Sequence, residues 1–535
     1  MNTYLGQKGY TINKKELSIE KQVKIRDDLM IKPFTMGAPI NDAKTFPAYR
    51  ESPNKFYVPH YYGIEQFGPP KEYKISEGNN INLEFNGKLR ENQEIVVDTY
   101  IKHVNKVGYG GGLLELPCAY GKTVLSLNII SRLKKKTFII VHKEFLMNQW
   151  IERIQQFLPA ARVGKIQGPV IDVDDKDIVI GMLQSLSMKE YPASVFDSFG
   201  LTIIDEVHHI SSEVFSNSLF KLVTKYMLGL SATMNRKDGT TSVFKMFLGD
   251  VIFKGKRDEE RAVTVRAYEY YVNDDEFNEV KLDYRGNPQY STMISKLCEY
   301  NRRSEFILKI LSDLLKENPN QQVMILAHNK NLLKYFHDAI EHRNIATVGY
   351  YVGGMKESAL KETETKKVVI ATYAMAAEAL DIKTLTTLIM ATPKTDIEQS
   401  VGRILREKHS SPIVVDIVDS HDLFKNQWKK RKTFYKKENY KIIYTVFNDS
   451  NTRIYNNIDT SSLNWTLIYE PKTDKKKECS ITKNKKNISI KSNSSSEKSI
   501  TNDSESDNDN EEPEPENNSS KKGKIADDIC FLKFK

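Results

Sequence analysis

A lysine set between a glycine and a threonine can hold phosphate, and this chain has one at Gly121-Lys122-Thr123. The tripeptide ends the stretch Leu116-Pro117-Cys118-Ala119-Tyr120, follows the apolar pair Leu113-Leu114 and precedes a helical run from Val124 to Leu133. A strand, a loop and a helix start in that order aim backbone N–H groups and the positive helix end at bound phosphates. Lys122 is expected to neutralise the β/γ oxygens of a nucleoside triphosphate, and Thr123 to place its hydroxyl on Mg²⁺. The full loop pattern wants glycine at 116, where leucine stands.

A second constellation is Ile203-Ile204-Asp205-Glu206-Val207-His208-His209. It puts two carboxylates at the C-terminal end of an apolar strand, where ligands of a parallel sheet bind. Asp205 can hold Mg²⁺ through water, and Glu206 can orient and deprotonate an attacking water. Further on, Leu230-Ser231-Ala232-Thr233 ends another apolar run. Ser231 and Thr233 are short hydroxyls able to link His208 to a neighbouring domain by hydrogen bonds. Late in the chain comes Gln399-Ser400-Val401-Gly402-Arg403-Ile404-Leu405-Arg406. On a helix Arg403 and Arg406 share a face at i, i+3, with Gln399 one turn before Arg403. Two guanidiniums suit the charge spread over a transferring phosphoryl group. An arginine supplied by a second domain can add roughly 10³–10⁵ in rate and makes hydrolysis depend on cleft closure.

These groups need a scaffold of parallel strands, and the sequence supplies it twice. Thr137–Val141, Asp177–Ile180, Leu201–Ile204 and Tyr226–Leu230 read as buried parallel strands, alternating with helical stretches. A second set follows at Gln322–Ala327, Thr347–Val352, Lys367–Thr372, Thr387–Ala391 and Pro412–Ile417. The expected architecture is α/β, with two tandem doubly wound parallel-sheet domains at 86–250 and 301–450, joined by a segment at 251–300. Residues 1–85 carry aromatic and proline-bearing segments and read as a small N-terminal module. A short extension at 451–474 leads to a tail at 475–535, rich in Lys, Asn, Ser, Asp and Glu, which is expected to be disordered.

Composition narrows the classes. The 535 residues are 39% hydrophobic and 28% charged, enough for two or three cores. No stretch approaches the roughly 20 apolar residues of a membrane helix, and the first residues lack the apolar core of a signal peptide. The expectation is a protein that is not secreted and uses no membrane. Four cysteines (118, 298, 479 and 530) without a CxxC pair exclude a disulfide framework and a cysteine-built zinc site, and fit a reducing compartment. The net charge of +9 understates the basic body, because Asp503 to Glu516 is acidic. A basic body suits a phosphate backbone as partner.

In order along the chain, Arg90-Glu91-Asn92-Gln93, Gly121-Lys122-Thr123, Asp205-Glu206-Val207-His208, Ser231-Ala232-Thr233 and Gln399 to Arg406 resemble the motifs of superfamily 2 helicases, over about 89–440. The acidic box is DEAH-like. Tyr4 to Tyr10, Asn235 to Gly239, Gly349 to Lys356 and Asn426 to Arg431 are similar to helicases of large nucleocytoplasmic DNA viruses, which are related to transcription-factor-H type translocases. The resemblance implies two RecA-like domains using ATP and Mg²⁺ to move on nucleic acid, DNA favoured and RNA possible. It also implies a role in viral transcription or genome processing, transcription machinery as a partner, and a place in the host cytoplasm or the virion. It implies that Arg90 and Gln93 recognise adenine and that Asp381 meets nucleotide from the second domain. Relatives have glycine where Ala119 and Ala379 stand. Motif position nominates Lys143, Gln149, Gln184, Ser185 and Thr372 for the nucleic-acid track. The stretch Lys425 to Lys437 interleaves lysines and Arg431 with Trp428, Phe434 and Tyr435. It reads either as a phosphate-and-base contact or as an amphipathic helix burying its aromatics. Two rivals share the motifs: a translocase that remodels complexes without separating strands, and a weakened ATPase acting as a binding subunit.

Overall fold

The computed structural model describes residues 2–33, 45–117, 120–209, 212–234, 238–255, 262–378, 382–405, 409, 411–449 and 458–472, with backbone alone at 209, 212, 377 and 378. The tail expected at 475–535 lies outside them, as do Cys118, Ala119, Asp381 and Arg406.

Two eight-stranded sheets carry the chain. The first runs Val170–Ile171, Val163–Gln167, Ile178–Met182, Thr137–Val141, Leu201–Ile204, Tyr226–Ser231, Gly110–Glu115 and Val251–Lys254 from edge to edge. Every neighbouring pair is parallel except the outermost, Val163–Gln167 with Val170–Ile171. Parallel neighbours require crossovers, and helices such as Lys122–Leu133 and Glu144–Phe157 supply them. Both faces are thereby covered, so central strands are apolar throughout. Phe138 and Ile140 enter one core while Ile139 and Val141 enter the other.

The second sheet runs Val348–Tyr351, Val368–Thr372, Gln322–Ala327, Leu385–Met390, Ile413–Asp419, Thr264–Val272, Lys441–Asp449 and Thr466–Tyr469, the last pair antiparallel. Val323, Ile325 and Ala327 face one core, and Met324 and Leu326 the other. These are two tandem RecA-like domains, as expected from the alternating runs. The stretch 251–300 does more than connect them. Val251–Lys254 is the edge of the first sheet, and Thr264–Val272 lies inside the second, parallel to both neighbours. Its run of alternating tyrosines, Tyr268 and Tyr270 inward and Tyr271 outward, is strand chemistry. Thr466–Tyr469, from the extension at 451–474, adds the edge strand.

The N-terminal module is a five-stranded sheet, ordered Arg50–Glu51, Lys55–Val58, Gly9–Asn13, Thr3–Gly6 and Glu72–Tyr73. It has no separate core. Leu5, Tyr10, Ile12 and Phe56 share one with Phe215, Phe220, Phe244 and Phe247 of the first motor domain. Tyr61 Oη accepts from Gly111 N at 2.6 Å and donates to Gly111 O at 3.0 Å. Among the described residues no helix is long and apolar enough to cross a membrane.

One buried group makes this module acid-sensitive. Burial pushes the His60 imidazole down to about 4. Its folded pKa lies below the unfolded value, so its contribution is full above about pH 6.5 and is lost as pH falls towards 4. The loss is about 3 kcal/mol at most. Urea unfolding at pH 7 and pH 4.5 should show His60→Phe losing less stability across that window than wild type.

Candidate functional site

The C-terminal strand ends of the two sheets bring the sequence candidates together. The phosphate loop leaves the strand Gly110–Glu115 and enters the helix Lys122–Leu133. Leu116 N donates to Ser231 O at 2.8 Å, so the base of the loop is held to the neighbouring strand end. Pro117 follows it, and Tyr120 donates its backbone N–H to Pro117 O at 3.2 Å. Gly121 caps the helix at φ +87°, a left-handed conformation that glycine adopts without strain. A Cβ there would also lie 2.4 Å from Gln93 Nε2.

Arg90 and Gln93 sit at the start of the helix Glu91–Val107 and brace this loop. Arg90 Nη2 and Gln93 Nε2 donate to Tyr120 O at 2.6 and 2.8 Å. Gln93 Oε1 accepts from Arg90 N at 3.0 Å. Both side chains thus hold the carbonyl just before Gly121, within reach of whatever the loop binds.

Asp205 ends the strand Leu201–Ile204 and is buried. Its Oδ1 accepts from Glu206 N at 3.0 Å and its Oδ2 from Trp150 Nε1 at 2.9 Å. Burial, then the Glu206 charge, pushes its carboxyl up to about 6, against the pull of Lys122. Glu206 has φ +48°, rare for a residue with a side chain. This bend costs of order 1–2 kcal/mol, and it delivers the carboxylate to Lys122 Nζ at 2.6 Å. Thr123, on the first turn, makes no side-chain hydrogen bond among the described residues. Asp205, a buried carboxylate at a strand end, and Thr123, a hydroxyl on the first turn of the loop helix, are oxygen donors of the kind that Mg²⁺ takes.

His208 joins the two domains. Its Nδ1 lies 2.7 Å from Ser231 Oγ and 3.4 Å from Glu206 Oε2, and its Nε2 lies 3.0 Å from Gln399 Nε2. One proton arrangement satisfies the contacts to Gln399 and Ser231. The Gln399 amide donates to His208 Nε2, Nδ1–H donates to Ser231 Oγ, and Ser231 donates to Thr233 O. Thr233 closes the turn by donating its own N–H to Ser231 Oγ at 3.2 Å. The line therefore runs from the second domain to within one contact of the Lys122–Glu206 pair.

Gln399 and Arg403 lie on one helix, Glu398–Arg403. The helix ends there with Ile404 as its cap, so the expected i, i+3 pairing with Arg406 does not follow from it; Arg406 is outside the described residues. Asp381, Cys118 and Ala119 are outside as well.

The track candidates occupy the same edge but are locally engaged. Lys143 caps the helix Glu144–Phe157, which contains Gln149. Gln184 Nε2 donates to His142 O at 2.8 Å, and Ser185 Oγ accepts from Gly168 N at 2.9 Å. Thr372 Oγ1 accepts from Met375 N at 3.4 Å. The stretch Lys425–Lys437 resolves into the second of its two readings. It is the helix Asp422–Lys437, with Trp428, Arg431 and Tyr435 buried. Arg431 is fully paired with Asp416 at 2.8 Å through Nε and through Nη2, so it is removed from the track; Lys429 and Lys430 stay exposed. Trp150 was invisible in the sequence, because nothing local marks a tryptophan as the partner of a carboxylate 55 residues away.

Comparison with known proteins gives the class. The family described as type III restriction enzyme, res subunit, matches residues 86–236, and the helicase conserved C-terminal domain matches residues 307–408. The chain belongs to the superfamily 2 helicases, which are nucleic-acid-dependent ATPases, and groups with those of large DNA viruses. It is similar to the "Putative ATP-dependent RNA helicase L396" of Acanthamoeba polyphaga mimivirus, 35% identical over 456 residues, covering 83% of this chain and 86% of that protein. It is also similar to the "Putative helicase 161L" of Invertebrate iridescent virus 6, at 26% identity over 68% of this chain and 85% of that one. The solved helicase domain of Pyrococcus furiosus Hef overlays at TM-score 0.44 and 13% identity, covering 64% of this chain and 98% of that one.

The bridge between domains carries a prediction. Gln399→Ala removes the donor that the proton arrangement assigns to His208 Nε2. Polynucleotide stimulation of turnover should fall about 5- to 100-fold, the range of ordinary inter-site coupling, with turnover in its absence changed far less. Steady-state ATP hydrolysis with and without polynucleotide reads both values.

Proposed function

We propose that this chain is an ATP-driven translocase on nucleic acid, with DNA as the favoured track. What carries the reading is the succession of close contacts Lys122–Glu206 at 2.6 Å, Glu206–His208 at 3.4 Å and His208–Gln399 at 3.0 Å, which leads from a phosphate-loop lysine to the other domain. Lys122 pairs with Glu206 at 2.6 Å. When phosphates enter the loop, Lys122 turns to the β/γ oxygens and leaves the Glu206 carboxylate free to orient and deprotonate water. Thr123 and Asp205 would hold Mg²⁺, which neutralises charge on those oxygens. Arg403 and Arg406 meet the charge developing on the transferred group as the cleft closes. Arg90 and Gln93 read adenine while bracing Tyr120, and Asp381 adds a contact from the second domain. Closure and opening then move the domains along the backbone, gripped through phosphates by Lys143, Gln149 and Thr372, with Gln184 and Ser185 holding the adjoining turns.

Work in viral transcription or genome processing, in the host cytoplasm or the virion, is supported by the mimivirus and iridescent virus relatives. The mimivirus relative's printed name gives RNA, which keeps RNA as the alternative track. Parallel ATPase assays with single-stranded DNA, double-stranded DNA and RNA test the reading. DNA should stimulate most; stimulation by RNA alone reverses the choice of track. A translocase that displaces without separating strands is the second reading, since the same motifs drive both. Triplex displacement without duplex unwinding would select it.

A further inference from the structure

The most exposed aromatic ring of the described chain belongs to neither motor motif nor core. Tyr284 is 87% exposed at the tip of a hairpin. Gln289 N donates to Lys281 O at 2.8 Å and Asp283 N to Asn287 O at 2.7 Å, with Leu282 bridged to Pro288. The tip is tied further. Asp283 Oδ1 accepts from Arg285 N at 2.7 Å and Asn287 N at 2.9 Å, and Gly286 turns the chain at φ +83°. An exposed tyrosine usually lies against its own surface; this one is carried outward on a closed ladder whose conformational entropy is already spent.

The hairpin is rooted at the working edge of the second domain. Tyr290, at its exit, donates to Pro393 O at 3.0 Å, just past the strand Leu385–Met390. Phe277, before its entry, is buried, and its carbonyl lies 2.8 Å from His421 Nε2, just past the strand Ile413–Asp419. The same C-terminal edge bears Gln399 and Arg403.

Charge around it selects the partner's chemistry. The approach is acidic, with Asp275 and Glu276 exposed at the root. Glu279 is spent on Lys281 at 2.7 Å, and Asp283 on the turn. At the tip, Arg285 makes no ion pair among the described residues, and its guanidinium lies 5.0 Å from the Tyr284 ring, whereas Lys281 at the root is paired with Glu279. The exposed carboxylates of Asp275 and Glu276 disfavour phosphate at the root, whereas the tip offers a flat ring for a base and a cation for a phosphate. We propose that Tyr284 stacks on an unpaired base of single-stranded nucleic acid, with Arg285 on the adjoining phosphate. This rests on the translocase reading. Base stacking on an aromatic ring needs no particular base and adds affinity without releasing counterions.

The full chain, titrated by fluorescence anisotropy against labelled oligothymidylate and oligouridylate over a range of salt, tests it. Tyr284→Ala should weaken binding between about 5- and 100-fold with the salt slope unchanged, and Tyr284→Phe should bind as wild type. Arg285→Ala should flatten the slope by about one. The two oligonucleotides say which sugar the strand carries. Wild-type affinity in Tyr284→Ala on both strands overturns the proposal and leaves the translocase standing, pointing the exposed Val280–Leu282–Tyr284 face to a protein instead. A wild-type chain that binds neither strand overturns the stacking proposal as well, and stimulation of its ATP turnover by duplex DNA then decides whether the translocase reading stands.

Discussion

Arg403→Ala should lower kcat for ATP by about 10³-fold or more, while ATP affinity changes by less than about tenfold. The asymmetry follows from where the residue lies. Arg403 is on the second domain, one turn beyond Gln399, whereas the phosphate loop and the acidic box are on the first. Ground-state binding is carried by the loop, so losing a group that arrives on closure removes transition-state stabilisation alone. Arg403→Lys should not restore the rate, since a single ammonium lacks the planar fork that meets two phosphoryl oxygens. Pre-steady-state turnover beside nucleotide-binding titrations checks it. Equal losses in affinity and rate would place Arg403 in ground-state binding.

Arg431→Ala should cost about 3–5 kcal/mol of stability in the second domain, the largest structural effect expected of any single basic residue on its helix. Arg431 and Asp416 are both 1% exposed and are joined by two 2.8 Å bonds. Tyr435 donates to the same carboxylate at 2.9 Å, and Arg431 Nη1 reaches Lys394 O at 3.2 Å. Removing the guanidinium strands a buried anion that the Tyr435 hydroxyl cannot compensate. Thermal unfolding measures the loss. Lys429→Ala and Lys430→Ala, on the exposed face of the helix, should leave the unfolding midpoint nearly unchanged and report on salt-dependent binding instead.

What the sequence disclosed was set by range. The central strands were legible because burial on both faces makes them continuous β-branched runs, as in Thr137–Val141 and Gln322–Ala327. Thr264–Val272 escaped because tyrosine, arginine and glutamate dilute that signal, and its place inside the sheet comes from partners 149 and 177 residues away, Ile413 and Lys441 opposite Thr264. At the site, residue types announced Lys122, Asp205 and Glu206, since phosphate and Mg²⁺ chemistry restricts the choice. The left-handed Glu206 backbone, the Trp150 bond and the Gln399–His208 contact were not legible, each being a matter of tertiary geometry. Basic–aromatic interleaving at Lys425 to Lys437 had two physical meanings, and burial of Arg431 decided between them.

The central claim is that hydrolysis in the first domain drives movement through the second. Displacement of a triplex-forming strand from duplex DNA tests it directly, run with wild type and with Glu206→Gln. Wild type should release the third strand only with ATP, and Glu206→Gln should bind ATP and DNA yet release none. ATP-independent release, or release by Glu206→Gln at the wild-type rate, would contradict it.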